Sequence, residues 1–241
     1  MTPPSSPRPR AAWVRRWSAS TSPICLLRTV SPTAAGDPVS EGTPPRVGVL
    51  ALQGDVREHL RVLEKLGAAA SLVRRPDDLA TIEGLVLPGG ESSVIDKLAR
   101  AFGMQQPIRD AITAGMPVYG TCAGLILLAD RVDGAIAGQE TFGGLDVTVR
   151  RNAFGGQTES FETALAVAGW DAPVRAAFIR APLVTELGPG VRPLATLPEG
   201  GVVAVEQGRL LATAFHPEVS GERRFHERFL ARVREARASA R

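Results

Sequence analysis

One of the two cysteines lies in a local sequence suited to nucleophilic chemistry. Cys122 is the centre of a Gly-x-Cys-x-Gly spacing, from Gly120 to Gly124, between a short apolar stretch and an apolar helical one. This spacing is typical of a sharp strand-to-helix turn, in which the glycines let the chain bend and its neighbours approach closely. The positive end of the following helix favours a thiolate. A buried packing cysteine is the alternative, but it needs no flanking glycines, and we interpret Cys122 as a nucleophile.

A thiol nucleophile needs a base, and the three histidines differ in their settings. His59 and His226 fall inside predicted helices, where we interpret both as helix-surface or packing residues. His216 follows a predicted strand and opens the turn His216-Pro217-Glu218, so it can face a cysteine at the end of another strand. Glu218 can then hold the imidazole in one tautomer, with a solvated loop carboxylate as the alternative.

A glycine pair, Gly89 and Gly90, follows the third predicted strand. In hydrolases with this type of turn, the oxyanion hole combines two N–H groups. One comes from the residue after the nucleophile, and the other from the loop after the third strand. These groups would be the N–H of Ala123 and that of Gly89 or Gly90. A plain turn is the alternative for the glycine pair taken alone.

The elements around these residues predict an α/β fold. In the first half we predict strands at 47–52, 69–73, 84–87 and 117–120, and helices at 55–66, 91–102, 108–114 and 123–129. This alternation is typical of a parallel sheet. In the second half we predict strands at 145–150, 161–167, 174–179, 202–206 and 210–215, and a helix at 222–237. We expect a three-layer sandwich with a mostly parallel central sheet, a nucleophile elbow and antiparallel additions.

Residues 1–45 differ in composition from the rest of the chain. They are rich in Pro, Ser, Thr, Ala and Arg and carry a net charge of +3, whereas the remaining residues hold 23 basic and 23 acidic side chains. They show no strand or helix periodicity, which predicts a disordered extension or a mis-assigned start. An organelle transit peptide is the alternative. The folded domain is expected at 46–241.

Composition excludes several other classes of protein. The net charge of +3 comes from the extension, so no basic stripe points to nucleic acid. Two cysteines in 241 residues argue against a disulfide framework and favour a reducing, cytoplasmic compartment. No apolar run approaches the roughly 18 residues of a membrane span. A dinucleotide-binding domain would need G-x-G-x-x-G after the first strand, and the chain lacks it there.

Six segments together resemble the class I, triad-type glutamine amidotransferases, and within them the family of glutaminase subunits of pyridoxal 5′-phosphate synthase. The segments are 47–60 (VGVLALQGDVREHL), 85–93 (LVLPGGESS), 117–129 (PVYGTCAGLILLA), 151–155 (RNAFG), 178–182 (FIRAP) and 215–218 (FHPE). GTCAG with HPE marks the broad class, whereas PGGES, RNAFG and FIRAP mark the vitamin B6 branch. Residues 1–45 match nothing in the family.

The resemblance implies a triad of Cys122, His216 and Glu218, with no metal and no cofactor. It also implies glutamine contacts from Gly89, Gly90, Glu91, Arg151, Ile179 and Arg180, and an oxyanion site at Gly90 and Ala123. Glutamine is a zwitterion, so its ammonium suits the carboxylate of Glu91 and its carboxylate suits a guanidinium. Gln53 is expected near the oxyanion or at the interface with a partner.

The implied activity is hydrolysis of L-glutamine to L-glutamate and ammonia through a cysteine thioester. The implied partner is the synthase (lyase) subunit, which uses the ammonia to build pyridoxal 5′-phosphate, and low activity is expected without it. A stand-alone γ-glutamyl hydrolase or peptidase on the same scaffold is the alternative, and PGGES, RNAFG and FIRAP argue against it. A non-enzymatic member of this fold would require a dispensable triad.

Overall fold

The computed structural model describes residues 43–153 and 160–240. The predicted extension lies outside the described residues except for positions 43–45, so its character stays a prediction. Residues 154–159, which include the end of the RNAFG segment, also lie outside the described residues. Among the residues described, no helix combines the length and the apolar character needed to cross a bilayer.

Strands and helices alternate through the first part of the domain, as predicted. The elements are β1 (Arg46–Leu50), α1 (Val56–Lys65), β2 (Ala69–Val73), α2 (Pro76–Leu79), β3 (Gly84–Leu87), α3 (Ser92–Ala101), α4 (Gln105–Thr113), β4 (Val118–Thr121) and α5 (Ala123–Leu128). Strands β1 to β4 pair in parallel. Every residue of β3 and β4 is buried, as expected for strands covered by helices on both faces.

The second part of the domain is built mainly from strands. Its elements are β5 (Ala129–Asp133), β6 (Leu145–Arg150), β7 (Ser160–Leu165), β8 (Val174–Ile179), β9 (Leu183–Leu187), β10 (Arg192–Thr196), β11 (Val202–Gln207), β12 (Leu210–Thr213), α6 (Pro217–Ser220) and α7 (Arg224–Ser239). Most of its pairings are antiparallel, including β6–β9 and β11–β12. The expectation of antiparallel additions to a parallel sheet is confirmed.

Ten strands form one sheet in the order β2-β1-β3-β4-β12-β11-β9-β6-β5, with β10 paired to β11, while β7 and β8 form a separate hairpin. Because parallel crossovers are right-handed, steps in opposite directions along the sheet place α1 on one face and α3 with α4 on the other. Helix α7 packs with α1, since Nδ1 of His59 in α1 lies 2.9 Å from Nε2 of His226 in α7. Helix α5 packs with α3. The sheet thus lies between two helical layers, as predicted.

The pairing of β4 with β12 places the site. These strands run parallel, with Thr121 opposite Thr213. The residues that follow both strands therefore emerge at the same edge of the sheet. Cys122 follows β4 directly and His216 follows β12 after two residues, so the two predicted catalytic side chains come from adjacent strands.

Three strands and two short helices were missing from the predicted set. Strand β5 is mostly exposed and polar, with sequence ADRVD, and β10 contains a proline and a bulge. Only one residue of β9 is fully buried. These strands lack the apolar alternation on which the prediction depended. The predicted strands at 47–52 and 210–215 end earlier, at Leu50 and Thr213, because the chain turns there to form the site.

Candidate active site

Cys122 lies in a strained bend between β4 and α5. Its φ is 48°, a left-handed conformation that costs a non-glycine residue about 1–3 kcal/mol and is concentrated at functional sites. The Cys122 N–H donates to the carbonyl of Thr213 at 2.8 Å, and the Cys122 carbonyl accepts from the N–H of Leu125 at 3.1 Å. The bend is therefore fixed by β12 on one side and by the first turn of α5 on the other.

The two glycines of the motif are required by close packing. A Cβ at Gly124 would lie 2.1 Å from the carbonyl oxygen of Leu87, and one at Gly120 would lie 2.6 Å from the carbonyl carbon of Gly124. Both distances are far below van der Waals contact. Helix α5 thus sits directly against β3 and β4, which places the bend at the edge of the sheet.

His216 is held by its backbone and by its ring. Its N–H donates to the carbonyl of Ala177 in β8 at 3.0 Å, and the preceding Phe215 packs against Phe178 with ring centroids 5.5 Å apart. Its Nδ1 lies 2.8 Å from Oε1 of Glu218. The β7–β8 hairpin therefore supports the imidazole from behind.

The charge state of His216 is set by its three neighbours. Burial lowers the pKa of His216, but hydrogen bonds with Asp55, Cys122 and Glu218 outweigh burial and raise the pKa to about 12. The ring therefore holds its proton more strongly than a free imidazole does, and it shares the cleft with the sulfur of Cys122. Cationic partners of this kind are typical of reactive cysteines.

Glu218 is buried completely, with no exposed side-chain surface. Burial raises the pKa of Glu218, and the His216 imidazolium opposes that rise. The charges of the two groups therefore support each other. The Oε2 atom of Glu218 has no hydrogen-bond partner among the described residues. The hydrogen bond of the carboxylate to His216 is made by Oε1.

Asp55 is a second carboxylate at His216 that the sequence analysis missed. Its Oδ2 lies 3.3 Å from Nδ1 of His216, and its side chain is 40% exposed. Its N–H donates to the carbonyl of Gly89 at 3.1 Å. The available signal was its place just after β1, at the edge where parallel strands end. Ligand atoms of Asp55, His216 and Glu218 lie within 4.8 Å of one another, but the hydrogen bonds at Nδ1 account for this spacing.

The Gly89–Gly90 loop packs tightly against Gln53 and His216. The side-chain oxygen of Gln53 accepts from the N–H of Glu91 at 2.8 Å. A Cβ at Gly90, where φ is 153°, would lie 2.4 Å from that oxygen, and a Cβ at Gly89 would lie 2.3 Å from Cε1 of His216. Gln53, whose role the sequence left open, therefore braces the loop.

Arg151 is fixed by a chain of polar side chains. Its guanidinium donates to Glu91 at 2.7 Å and to the side-chain oxygen of Gln139 at 2.8 Å. Gln139 in turn donates to the hydroxyl of Ser92 at 3.0 Å. Gln139 lies in the loop between β5 and β6, and no motif marked it in the sequence.

A cleft of about 480 Å³ joins these groups and contains Cys122 and His216, within the range of about 300–1,000 Å³ that is usual for small-molecule sites. Five of the six predicted glutamine contacts line the cleft: Gly90, Glu91, Arg151, Ile179 and Arg180. Gly89 lies behind it against His216, and Glu218 and Ala123 are buried next to the residues that line it.

Two lining residues share the unusual backbone of Cys122. Asn152 and Arg180 have φ of 48° and 47°, and both line the cleft. Arg180 follows β8 immediately, so the hairpin that supports His216 also presents this guanidinium. Asn152 was not predicted as a site residue. Strained residues around one cleft are typical of a functional site.

Of the two alternatives given for His59 and His226, helix-surface or packing residues, the structure supports packing. Both are fully buried, because α1 and α7 turn them toward each other beneath the elbow. Nδ1 of His59 lies 2.9 Å from Nε2 of His226, and Nε2 of His59 lies 3.1 Å from the hydroxyl of Thr121. The same Nε2 lies 3.7 Å from Oε1 of Glu218.

A cysteine at a strained strand–helix bend, beside a buried His–Glu pair at the edge of a mostly parallel sheet, defines the class of cysteine-dependent α/β amidotransferases and hydrolases. Comparison with known proteins narrows this class. The chain belongs to the SNO glutamine amidotransferase family, whose model matches residues 49–235.

Curated relatives match nearly their whole length. The pyridoxal 5′-phosphate synthase subunit PdxT of Leifsonia xyli subsp. xyli is 65% identical over 190 residues, which cover 78% of this chain and 96% of the relative. The subunit PdxT of Clavibacter sepedonicus is 60% identical over 204 residues, covering 84% and 98%. The predicted resemblance and the predicted glutamine-hydrolysing enzyme are confirmed.

Solved structures agree with the fold. A crystal structure of a glutamine amidotransferase is 45% identical and covers 78% of this chain and 98% of its own, with a TM-score of 0.73. The structure of PurLQS from Thermotoga maritima has a TM-score of 0.58 at 19% identity, with coverage of 80% and 97%. The second likeness concerns the fold alone, and the predicted fold class is confirmed.

Proposed function

We propose that this chain hydrolyses L-glutamine to L-glutamate and ammonia, with Cys122 as nucleophile, His216 as acid and base, and Glu218 as the partner of His216. The observation that carries the proposal is the arrangement of Cys122 and His216 in one cleft, with Nδ1 of His216 2.8 Å from Oε1 of Glu218. The glutaminase domain is proposed to span 46–241, and the family match at residues 49–235 supports this range.

The first half-reaction forms a thioester. The sulfur of Cys122 attacks the side-chain amide carbon, and the carbonyl oxygen becomes an oxyanion. N–H groups of Ala123 and Gly90 stabilise it, and such donors contribute about 2.7–4 kcal/mol each. The first N–H groups of a helix have no partner within that helix, which leaves Ala123 free to donate. The His216 imidazolium gives its proton to the departing nitrogen, which leaves as ammonia.

The second half-reaction releases glutamate. Neutral His216 takes a proton from a water molecule, which attacks the γ-glutamyl thioester and expels the sulfur as thiolate. The imidazolium is then restored next to the sulfur. Glu218 holds Nδ1 at 2.8 Å throughout, which fixes the tautomer and stabilises the charged ring.

The two ends of the substrate require opposite charges. Arg151 and Glu91 form an ion pair, and Arg180 forms none with another described residue. We therefore assign the carboxylate of glutamine to the guanidinium of Arg180, supported by Arg151, and its ammonium to Glu91. Ile179 and Gly90, which line the cleft, border the side chain of glutamine.

The proposed partner is the synthase subunit of pyridoxal 5′-phosphate synthase, which receives the ammonia for vitamin B6 biosynthesis. Relatives that are 60–65% identical carry the name of a subunit of that synthase, which supports the assignment. Direct transfer between the two subunits keeps ammonia from being protonated in water. A cytoplasmic location is proposed because two cysteines suit a reducing compartment.

A glutaminase assay with and without the synthase subunit tests the proposal. Cys122→Ala should abolish release of glutamate and ammonia, whereas Cys25→Ser, which removes the other cysteine, should leave it unchanged. Turnover should rise when the synthase subunit is added. Cleavage of γ-glutamyl peptides without the partner would favour a stand-alone hydrolase instead, and unchanged release by Cys122→Ala would refute the assignment.

A further inference from the structure

We infer that His59 and His226 are positioning residues that hold Glu218, and through it His216, in the orientation that the reaction needs. The inference rests on the proposed function, since it assigns a role behind the same triad. The two histidines come from α1 and α7, which are 167 residues apart at the hydrogen bond. They form a chain of polar groups that ends at the carboxylate of Glu218.

The pair of histidines has two connections to the site. Nε2 of His59 lies 3.1 Å from the hydroxyl of Thr121, the residue before Cys122. The same nitrogen lies 3.7 Å from Oε1 of Glu218, too far for a hydrogen bond but close enough for an N–H dipole to act on a carboxylate. His59 therefore contacts both the elbow and the residue that orients the imidazole.

Burial fixes the protonation state of both rings. Desolvation, together with the nearby His226 and His216, holds the pKa of His59 well below its usual value. Desolvation lowers the pKa of His226 to about 4, although Glu222 opposes this shift. Both rings are therefore neutral at physiological pH, and each carries one N–H.

The unpaired nitrogen of His226 determines which histidine donates the hydrogen bond between the two rings. Its Nδ1 is buried without a hydrogen-bond partner among the described residues. A buried N–H without an acceptor is rarely tolerated, so we assign the proton of His226 to Nε2, where it is donated to Nδ1 of His59 at 2.9 Å. Nδ1 of His59 then accepts, and its own proton lies on Nε2, which faces Thr121 and Glu218.

This direction has a consequence for the charge on Glu218. Burial makes the ionised carboxylate costly, and its Oε2 has no partner among the described residues. The Nε2–H of His59 is within hydrogen-bond distance of Thr121, and at 3.7 Å from Oε1 its dipole favours the charged form of Glu218 without adding a second charge. An ionised Glu218 in turn stabilises the imidazolium of His216. His59 therefore acts on the reaction indirectly, through Glu218 and then His216.

Several other groups face this network. The titratable groups around Glu218 and the two histidines are His216, Asp55, Tyr119, Glu222 and Cys122. Burial raises the pKa of Tyr119 well above its usual value, so it stays neutral. Asp55 also raises the pKa of Glu218, so a dipole that favours the charged carboxylate acts against this effect as well as against burial.

The protonation states can be tested without changing the sequence of the site. The chain has three histidines, so ¹⁵N-histidine labelling gives six ring nitrogen signals. Two rings should be neutral with the proton on Nε2 between pH 5.5 and 8, and His216 should be doubly protonated. A proton on Nδ1 of His59, or a charged His59 at neutral pH, would overturn the inference. This measurement uses no glutamine, so its failure is distinct from failure of the proposed function.

Variants test the effect on the site. In a Cys25→Ser background, where Cys122 is the remaining thiol, alkylation by iodoacetamide against pH reports the state of the Cys–His pair. His59→Leu should shift the midpoint of that profile to higher pH by about one unit, because the imidazolium beside the sulfur is then less stabilised. His59→Gln, whose amide can donate and accept, should bring the midpoint most of the way back. His226→Leu should shift the midpoint in the same direction by less. An unchanged profile in folded His59→Leu would refute the role.

Turnover of the complex with the synthase subunit gives a second readout. His59→Leu should lower kcat about tenfold with little change in KM, because no group that touches glutamine is altered, and His59→Gln should recover part of it. A rise in KM with constant kcat would contradict a positioning role. If His59→Leu does not fold, the tautomers measured in the unaltered chain still decide the inference.

Discussion

Replacing Gly89 by alanine should disable the site by displacing His216. The Cβ of Gly89→Ala would lie 2.3 Å from Cε1 of the imidazole. Carbon atoms in contact are about 3.5–4.0 Å apart, so the ring must retreat by about 1.2–1.7 Å. The backbone itself needs no left-handed conformation at this position, which confines the effect to the clash.

The size of the effect follows from the geometry of proton transfer. A misplacement of about 1 Å in a catalytic group can cost roughly 100-fold in rate, or about 2.7 kcal/mol of transition-state stabilisation. We expect kcat/KM of Gly89→Ala in the complex with the synthase subunit to fall by about this factor. Alkylation of Cys122 should also slow, because the ring leaves the sulfur.

Gly48→Ala is the matched control. Its Cβ would lie 2.4 Å from a methyl of Val73, a clash of the same size in the core and away from the cleft. Both variants should lose stability by about 1–3 kcal/mol in urea unfolding, but only Gly89→Ala should lose turnover. Parent-like turnover by Gly89→Ala, or an equal loss in both variants, would refute the reasoning.

Three further predictions follow from contacts at the cleft and behind it. Gln139→Ala removes one of the two acceptors that fix Arg151, so KM for glutamine should rise about tenfold with kcat nearly unchanged; an unaltered KM would contradict this. Asp55→Asn removes a group that raises the pKa of His216. Since the imidazolium exists below that pKa, the alkaline limb of the pH–activity profile should move to lower pH. A move to higher pH would contradict the prediction. Burial lowers the pKa of His226 to about 4, so stability should be full above the unfolded value near 6.5 and fall by about 3 kcal/mol as pH drops to 4. Urea unfolding at several pH values measures this, and His226→Gln, which cannot titrate, should lose less in that window.

The sequence allowed the triad residues to be identified as candidates because each lies next to a local pattern. Cys122 has flanking glycines that only a tight bend requires, and His216 ends a strand and opens a turn. Parallel strands bring their carboxyl ends to one edge, so the two could be expected to meet. The structure brings them together, while their catalytic roles stay proposals.

The two buried histidines show what a local pattern can predict and what it cannot. His59 lies three residues after Val56 and four before Leu63, which places it on the apolar face of α1, so its burial could have been inferred from helical periodicity. Its partner could not, because His226 is 167 residues away. Such a pairing depends on how α1 and α7 pack on the finished sheet.

Loop residues and edge strands were missed for a different reason. Gln139 and Asn152 act through side-chain geometry and an unusual φ, and neither has a residue pattern that marks it. Strands β5 and β10 are exposed, polar or interrupted by proline. Their strand character comes from pairing with neighbours that were already part of the sheet.

The position of β12 in the sheet determines when Cys122 and His216 can come together. Among the strands of residues 43–153 and 160–240, β12 is the last to leave the ribosome, yet it fills a place in the middle of the sheet, between β4 and β11. A nascent chain that ends before residue 210 contains the sulfur of Cys122 but lacks the imidazole of His216, which lies in the same cleft of the finished domain. The cleft that holds Cys122 and His216 is thus completed only when the last described strand has entered the sheet.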